Sequence, residues 1–411
     1  MRIESTPLVP LSSLLKRVEA GWSPTCEPQA PGSAEWGVLS LGAITSGKFK
    51  PDNAKRLPEG AAPRTHLEIA PKDVLIARAN GSRALVGVGC VVPDTRQKLL
   101  LPDLIYRLLP DPLKIDPEFL GVLISSRRFR QQVEASMRST SGQFKISQAD
   151  LRAFLVPEKS LPQQRRIIEV LDIVSAAESC IELTISKLKA VRRGVLLNSM
   201  ALDRSSCPRK GWERISLKEV VPTTDYGISY ALIGEPGGVP VLRMNNIRDA
   251  RIEVGDLRYS PISVPDRLEL RHGDVLFNRT NSIDHVGKTA MWRGELPRAT
   301  FASYLVRLNP DLRRVMPEYL VEWFQHPLVR QRVKAISTVA VQQVNVNPTK
   351  LRELEIDLPI ALEDQRRIVA SLVACDDRIR QEEEELVKLR QMKLGLADDL
   401  LAGAGTQSQR G

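Results

Sequence analysis

The sequence is poor in the features that mark membrane, disulfide-bonded and metal-binding proteins. No apolar run approaches the 18 or more residues that a membrane-spanning helix needs. The first 21 residues carry charges throughout and have no long apolar core, so a secretory signal is not expected. Five cysteines are scattered, odd in number and without a CxxC pair, which fits a reducing cytoplasm and argues against a disulfide framework or a structural zinc site. The four histidines show no helical metal spacing. Aromatics make up 5% of the chain and are not interleaved with basic runs, which disfavours a base-stacking single-strand binder.

Catalytic signatures are missing as well. There is no G-x-x-x-x-G-K-[ST] phosphate loop. Gly87-Val88-Gly89 lacks a suitable third glycine. No Asp-Pro-Pro-Tyr or Asn-Pro-Pro-Tyr string marks an adenine methyltransferase, and none of the 18 lysines follows an Asp/Glu-x pair as in metal-dependent nucleases. No G-x-S-x-G or H-E-x-x-H occurs. These absences point to a non-catalytic chain.

What is present is a chain of 411 residues, long enough for two or three domains, with 42% hydrophobic residues and a net charge of +10. Its 41 arginines suit a polyanionic partner, although a GC-rich genome would raise Arg as well.

The strongest signal is an internal repeat. PEFL at Pro117–Leu120 returns as PEYL at Pro317–Leu320, and RQQV at Arg130–Val133 as RQRV at Arg330–Val333. QRRI at Gln164–Ile167 returns at Gln365–Ile368, and DVLIARANG at Asp73–Gly81 matches DVLFNRTNS at Asp274–Ser282. Offsets stay between 200 and 203, so the chain is a tandem duplication. Each copy begins with about 155 residues rich in Pro, Gly and short apolar runs, in which DVLIARA and GDVLFNRT read as buried strands entering polar loops. Each ends in a long helix, near 40 residues or roughly 60 Å, with apolar heptads. Ile167, Val174, Ile181, Leu188 and Val195 hold one seam, while Ile368, Cys375, Leu389 and Leu396 form its counterpart. Glu178, Arg192, Glu382 and Lys393 interrupt the seams.

This pattern predicts an α+β fold with target-binding domains at 1–160 and 205–360, long helices at 161–204 and 361–404, and a flexible tail at 405–411. The helices are expected to pair as an antiparallel coiled coil with pseudo-two-fold symmetry, which suits duplex DNA.

Three groups of residues are candidates for DNA contact. The first is the loop after the repeated strand, with Arg78, Asn80, Ser82 and Arg83 in one copy and Arg279, Thr280, Asn281, His285 and Lys288 in the other. Arg can fork onto guanine, Asn onto adenine, and Ser, Thr or Lys onto phosphate. The alternative is a polar turn whose Arg pairs with Asp73 or Asp274. The second group is Ser141, Gln143 and Lys145 against Gln342, Gln343 and Asn345, with a strand leading to a helix cap at Ser147 or Asn347 as the plainer reading. The third is Arg243, Asn245 and Asn246, which differ from the matching residues of the first copy, together with Lys48 and Lys50 as phosphate contacts.

On these residues the chain resembles the specificity subunit of type I restriction-modification enzymes. The resemblance rests on Leu161–Ile167 with Lys187–Val195, on Leu358–Ile368 with Lys388–Leu401, on Gly273–Thr280 and on Gly142–Ser147. The second amide-rich loop departs from the pattern, with Gln342-Gln343 and no glycine. The resemblance implies a non-catalytic subunit whose two target-recognition domains each read half of a bipartite, asymmetric double-stranded DNA sequence. It implies helices that set the spacer and dock two modification subunits, which bind S-adenosylmethionine and methylate adenine, with restriction subunits adding ATP- and Mg-dependent translocation and cleavage. No cofactor and no membrane are expected for this chain, and the cytoplasm of a bacterium or archaeon is its expected place. The competing readings are a coiled-coil scaffold that does not bind DNA and a self-contained methyltransferase or nuclease.

Overall fold

The computed structural model describes residues 6–140, 142–200, 208–340 and 343–402. The chain divides into two compact units, one formed by residues up to 182 together with those from 384 onward, the other by residues 183–383. Mixed sheets and helices in each unit make the fold α+β. The expected tail at 405–411 lies outside the described residues.

The first unit is organised by a four-stranded antiparallel sheet in the order Leu15–Ala20, Ile105–Pro110, Val74–Ala77, Gly89–Val91. The central Val74–Ala77 strand is buried along its whole length because both faces are covered. Val74 and Ile76 face a core shared with the Pro117–Ser125 and Arg127–Ser136 helices, while Leu75 and Ala77 face a second core with Leu39, Ile44 and Leu99. A strand buried on both faces must be apolar at successive positions, which is why the DVLIA run shows no alternation. The second unit repeats this order with Thr223–Tyr226, Leu305–Asn309, Val275–Asn278 and Thr289–Met291. It fills its helical core with larger residues, Phe277 packing on Phe324 and Phe324 on Trp323. Gly87 and Gly287 follow the same loop in both units with φ of 79° and 81°. A Cβ there would lie 2.7 Å from Val133 and 2.9 Å from Val333, so both the backbone sign and the packing require glycine. The Gly87-Val88-Gly89 string is thereby a turn and packing device.

The long helices run Leu161–Ser199 and Leu362–Ala402. Within the first unit Glu178 meets Lys393 at 2.9 Å and Glu182 meets Arg390 at 2.5 Å; within the second, Lys189 meets Glu383 at 2.7 Å and Arg192 meets Asp376 at 2.7 Å. The descending partner numbers make the pairing antiparallel in each unit. The charges that interrupt the heptads are therefore satisfied: Glu178 and Lys393 by each other, Glu382 by Arg378, and Arg192 by Asp376 and Glu322.

Each helix is fastened to its domain by the glutamine of the QRRI motif. Buried Gln164 accepts from the Asp116 backbone N–H at 2.8 Å and donates to the carbonyls of Lys114 and Lys159, both at 2.8 Å. Buried Gln365 does the same with Met316 N–H at 2.9 Å and the carbonyls of Arg314 and Pro359 at 2.8 and 2.9 Å. One side chain thus pairs three otherwise orphaned backbone groups where a helix starts.

Candidate nucleic-acid interface

In each unit the central strand of the main sheet leads on into a small three-stranded sheet. Ala79–Asn80, Gln143–Lys145 and Arg138–Thr140 form it in the first, with Thr280–Asn281, Gln343–Asn345 and Thr338–Ala340 in the second. The sheet brings the first two groups of candidate residues together, although they lie about 65 residues apart in sequence.

A buried arginine organises the strand that leads there. Arg107 donates to Glu19 at 2.8 Å, to Asp73 at 3.1 Å and to the carbonyls of Glu68 and His66. Burial opposes its charge, but Asp73 and Glu19 outweigh that and raise its pKa. Arg307 repeats the arrangement with Asp225, Asp274 and the carbonyls of Glu269 and Arg267. The expected Arg pairing with Asp73 or Asp274 exists, but the arginine is Arg107 or Arg307 rather than Arg78 or Arg279.

Arg78 and Arg279 are half-buried supports. Arg78 stacks 5.3 Å from the centroid of the Tyr106 ring, and Arg279 stacks 5.1 Å from that of Tyr226. Arg279 also donates to Asn345 Oδ1 at 2.9 Å, so these two expected base contacts hold each other. Asn80 and Asn281 form the loop itself: each Oδ1 accepts from the following turn, Ser82 N–H at 2.9 Å and Ser282 N–H at 2.8 Å. The oxygen that a bidentate adenine contact would use is engaged there.

Other candidates have partners within the protein. Lys48 is bound to Glu182 at 2.7 Å, which ties its loop to the helix. Asn246 is buried and its amide is fully used by Arg243 N–H and the carbonyls of Glu253 and Asp256. Arg243 and Asn245 both bind Asp256, at 2.9 and 2.8 Å, so the third group closes a turn. Ser147 and Asn347 cap short helices, as the plainer reading of the second group has it. Ser141 and Gln342 lie outside the described residues.

The remaining candidates face solvent. Ser82, Arg83, Gln143, Lys145 and Lys50 are exposed in the first unit, as are His285 and Gln343 in the second, with Lys288 and Thr280 half-buried. Sequence reading missed Arg138, which stands directly across from Lys145 in the small sheet. Like charges facing each other destabilise a strand pair, and the Arg138 contact to Asp150 is long, at 3.5 Å. The pair places two positive charges side by side on an exposed strand edge. In the second unit the same row is Thr280, Asn345 and Thr338, which is neutral. Among the described residues no group of three or more His, Cys, Asp or Glu could hold a metal ion, and no helix is long and apolar enough to cross a membrane.

Fold and site together define a duplicated α+β protein with paired helices, in which one scaffold carries two chemically different polar edges. Residues 209–391 match the model of the type I restriction modification DNA specificity domain. The chain is 30% identical over 164 residues to the type I restriction enzyme EcoEI specificity subunit of Escherichia coli, covering 39% of this chain and 27% of that one. It is 26% identical over 365 residues to the EcoKI specificity subunit of Escherichia coli K12, covering 84% and 77%. The chain spans less than half the length of the two relatives it matches at 30% identity, 45% of one from Methanocaldococcus jannaschii and 27% of EcoEI. A solved structure from work on the assembly and conformational transition of the type I R-M system aligns over 98% of this chain and 99% of that one, with a TM-score of 0.63 at 19% identity. The second half of the chain thus matches a type I DNA specificity domain, and the chain as a whole is similar to specificity subunits of type I restriction enzymes.

Proposed function

We propose that this chain is the non-catalytic subunit that addresses a type I restriction-modification complex to double-stranded DNA, each unit reading one half of a bipartite, asymmetric target. One observation carries the reading: the two units keep the same buried framework, Arg107 with Arg307, Gln164 with Gln365 and Gly87 with Gly287, while the exposed polar edge changes from Arg138 and Lys145 to Thr338 and Asn345. A scaffold duplicated for strength alone gives no reason for that edge to lose its charge in one copy. Phosphate contacts supply affinity that falls with salt, and base-edge contacts supply discrimination. The paired helices set the distance between half-sites and dock two modification subunits. Those subunits bring S-adenosylmethionine and flip the target adenine out of the stack, and restriction subunits bring ATP and Mg. The cytoplasm is the compartment for this work.

The test is methylome sequencing of cells with and without this chain, with co-purification of the proteins encoded beside it. Loss of N6-methyladenine at one two-part motif on deletion supports the reading. An unchanged methylome, while the neighbouring methyltransferase is active, refutes it in favour of a scaffold.

A further inference from the structure

The loop after the central strand is held in both units by the same residue. Arg130, on the Arg127–Ser136 helix, donates to the carbonyls of Arg83 at 2.9 Å, Ala84 at 3.2 Å and Val86 at 2.5 Å. Arg330, on the Pro327–Ala335 helix, donates to the carbonyl of Asp284 at 3.2 Å. Counted from the aspartate that opens the strand, Asp73 or Asp274, Arg83 and Asp284 are both ten residues on, while the loop of the second unit reaches its glycine one residue sooner. Below each grip lies the Asn80 or Asn281 turn, and beyond it Gly87 or Gly287. An arginine of the following helix holds this loop in both units, through three carbonyls in the first and one in the second, and the gripped side chain changes from Arg83 to Asp284. The Arg83 guanidinium is exposed and makes no hydrogen bond or ion pair among the described residues. The Asp284 carboxylate is 81% exposed, meets Lys334 at 3.5 Å and lies in the field of Arg330. An exposed pair at that distance is worth little, which leaves the carboxylate oxygens open to solvent and to a partner.

A carboxylate gains nothing from phosphates, which repel it. In the major groove its partner is an exocyclic amino group, and the cytosine N4 amino group is the one that Asp and Glu accept from, whereas Arg forks onto guanine O6 and N7. Resting on the DNA-reading function proposed above, we infer that Asp284 is a specificity-determining residue that reads a cytosine amino group in one half-site, while Arg83, in the corresponding loop of the other unit, reads a guanine. Arg130 and Arg330 are the positioning residues that present them. The two units thereby present opposite hydrogen-bonding chemistry, donor and acceptor, from corresponding loops.

The experiment is selection of randomised duplex DNA by the full chain, followed by sequencing, for the wild type, Asp284→Asn and Asp284→Arg. Both side chains are solvent-facing, and melting curves confirm folding of the variants. Asp284→Asn is expected to lower the preference for cytosine at a single position of one half-site by about 5- to 150-fold and to leave the other half-site unchanged. Asp284→Arg is expected to move the preference at that position to guanine. If both variants select the wild-type sequence, or the affected position favours a base other than cytosine, the assignment of Asp284 is overturned while DNA reading stands. If the wild type selects no sequence at all, the DNA-reading function fails and this inference with it.

Discussion

Gln365 has no exposed surface and serves three backbone groups at the start of the second long helix. Truncation to alanine leaves one N–H and two carbonyls without partners inside the protein. At about 1 kcal/mol each, the lower end of the cost for an unsatisfied buried group, the loss is about 3 kcal/mol. For a unit of roughly 200 residues, each kcal/mol moves Tm by about 2–4 °C, so Gln365→Ala should melt roughly 6–12 °C lower. Gln164→Ala should cost the first unit a similar amount, since its three bonds have the same partners and lengths. Gln365→Glu is the sharper probe, because it keeps the acceptor for Met316 but turns a carboxylate towards two carbonyls. Its folded pKa is raised, so stability is retained below the ordinary carboxylate range and lost as pH rises through the raised value. Calorimetry of the full chain reads all three. If both alanine variants melt within about 2 °C of the wild type, the three bonds are worth less than the lower bound used here and the reasoning fails.

Other outcomes follow from the same geometry. Arg192→Met removes the ion-pair partner of buried Glu322 and leaves it beside Asp376 with only the more distant charge of Arg293, at a cost of about 3–5 kcal/mol near neutral pH. Burial already pushes the Glu322 carboxyl up, and losing Arg192 pushes it further, so the deficit should shrink as pH falls from about 8 to about 5 in thermal melts; a pH-independent deficit would contradict this. Asn278 is fully buried with both amide atoms unpaired, and the equivalent residue of the first unit is Ala77. Asn278→Ala should therefore raise Tm, and a lower Tm would mean that the amide has a partner worth more than its desolvation. Lys145→Gln and Arg138→Gln should each reduce the salt slope of DNA binding by about 0.9 while leaving base preference unchanged, as titrations at several salt concentrations would reveal. A changed preference with an unchanged slope would assign them to bases.

The framework was legible in the sequence because repetition and burial both leave patterns. Near-constant offsets exposed the duplication, the unbroken DVLIA and DVLF runs betrayed strands covered on both faces, and heptads marked the helices. The site was only partly legible. Arg78 and Asn80 were found as a loop, but residue type does not tell an arginine stacked on Tyr106 from one facing DNA, nor an asparagine amide free for a base from one closing its own turn. Lys48 looked free because Glu182, its partner, is 134 residues away. Arg138 and Asp284 were missed because their meaning comes from register and from comparison of the two copies.

The two units hold their helices by different charges, and this matters more than the shared glutamines for how the repeats could diverge. In the second unit Arg192 ties the helix pair to Glu322 of the Pro317–Gln325 helix, whereas the equivalent residues of the first unit are Lys393 and Val122, and Lys393 turns instead to Glu178 within the helix pair. The first unit gains its own tie from Lys48 to Glu182, beside Arg390. A buried ion pair adds little net stability over an apolar substitute, but it penalises every arrangement in which a partner is lost. Charges of this kind therefore select register and orientation rather than strength. Once each unit was fixed on its helices by its own ion pairs, the exposed loop could change sign, from Arg83 to Asp284, without disturbing the half-buried arginines that hold it in place.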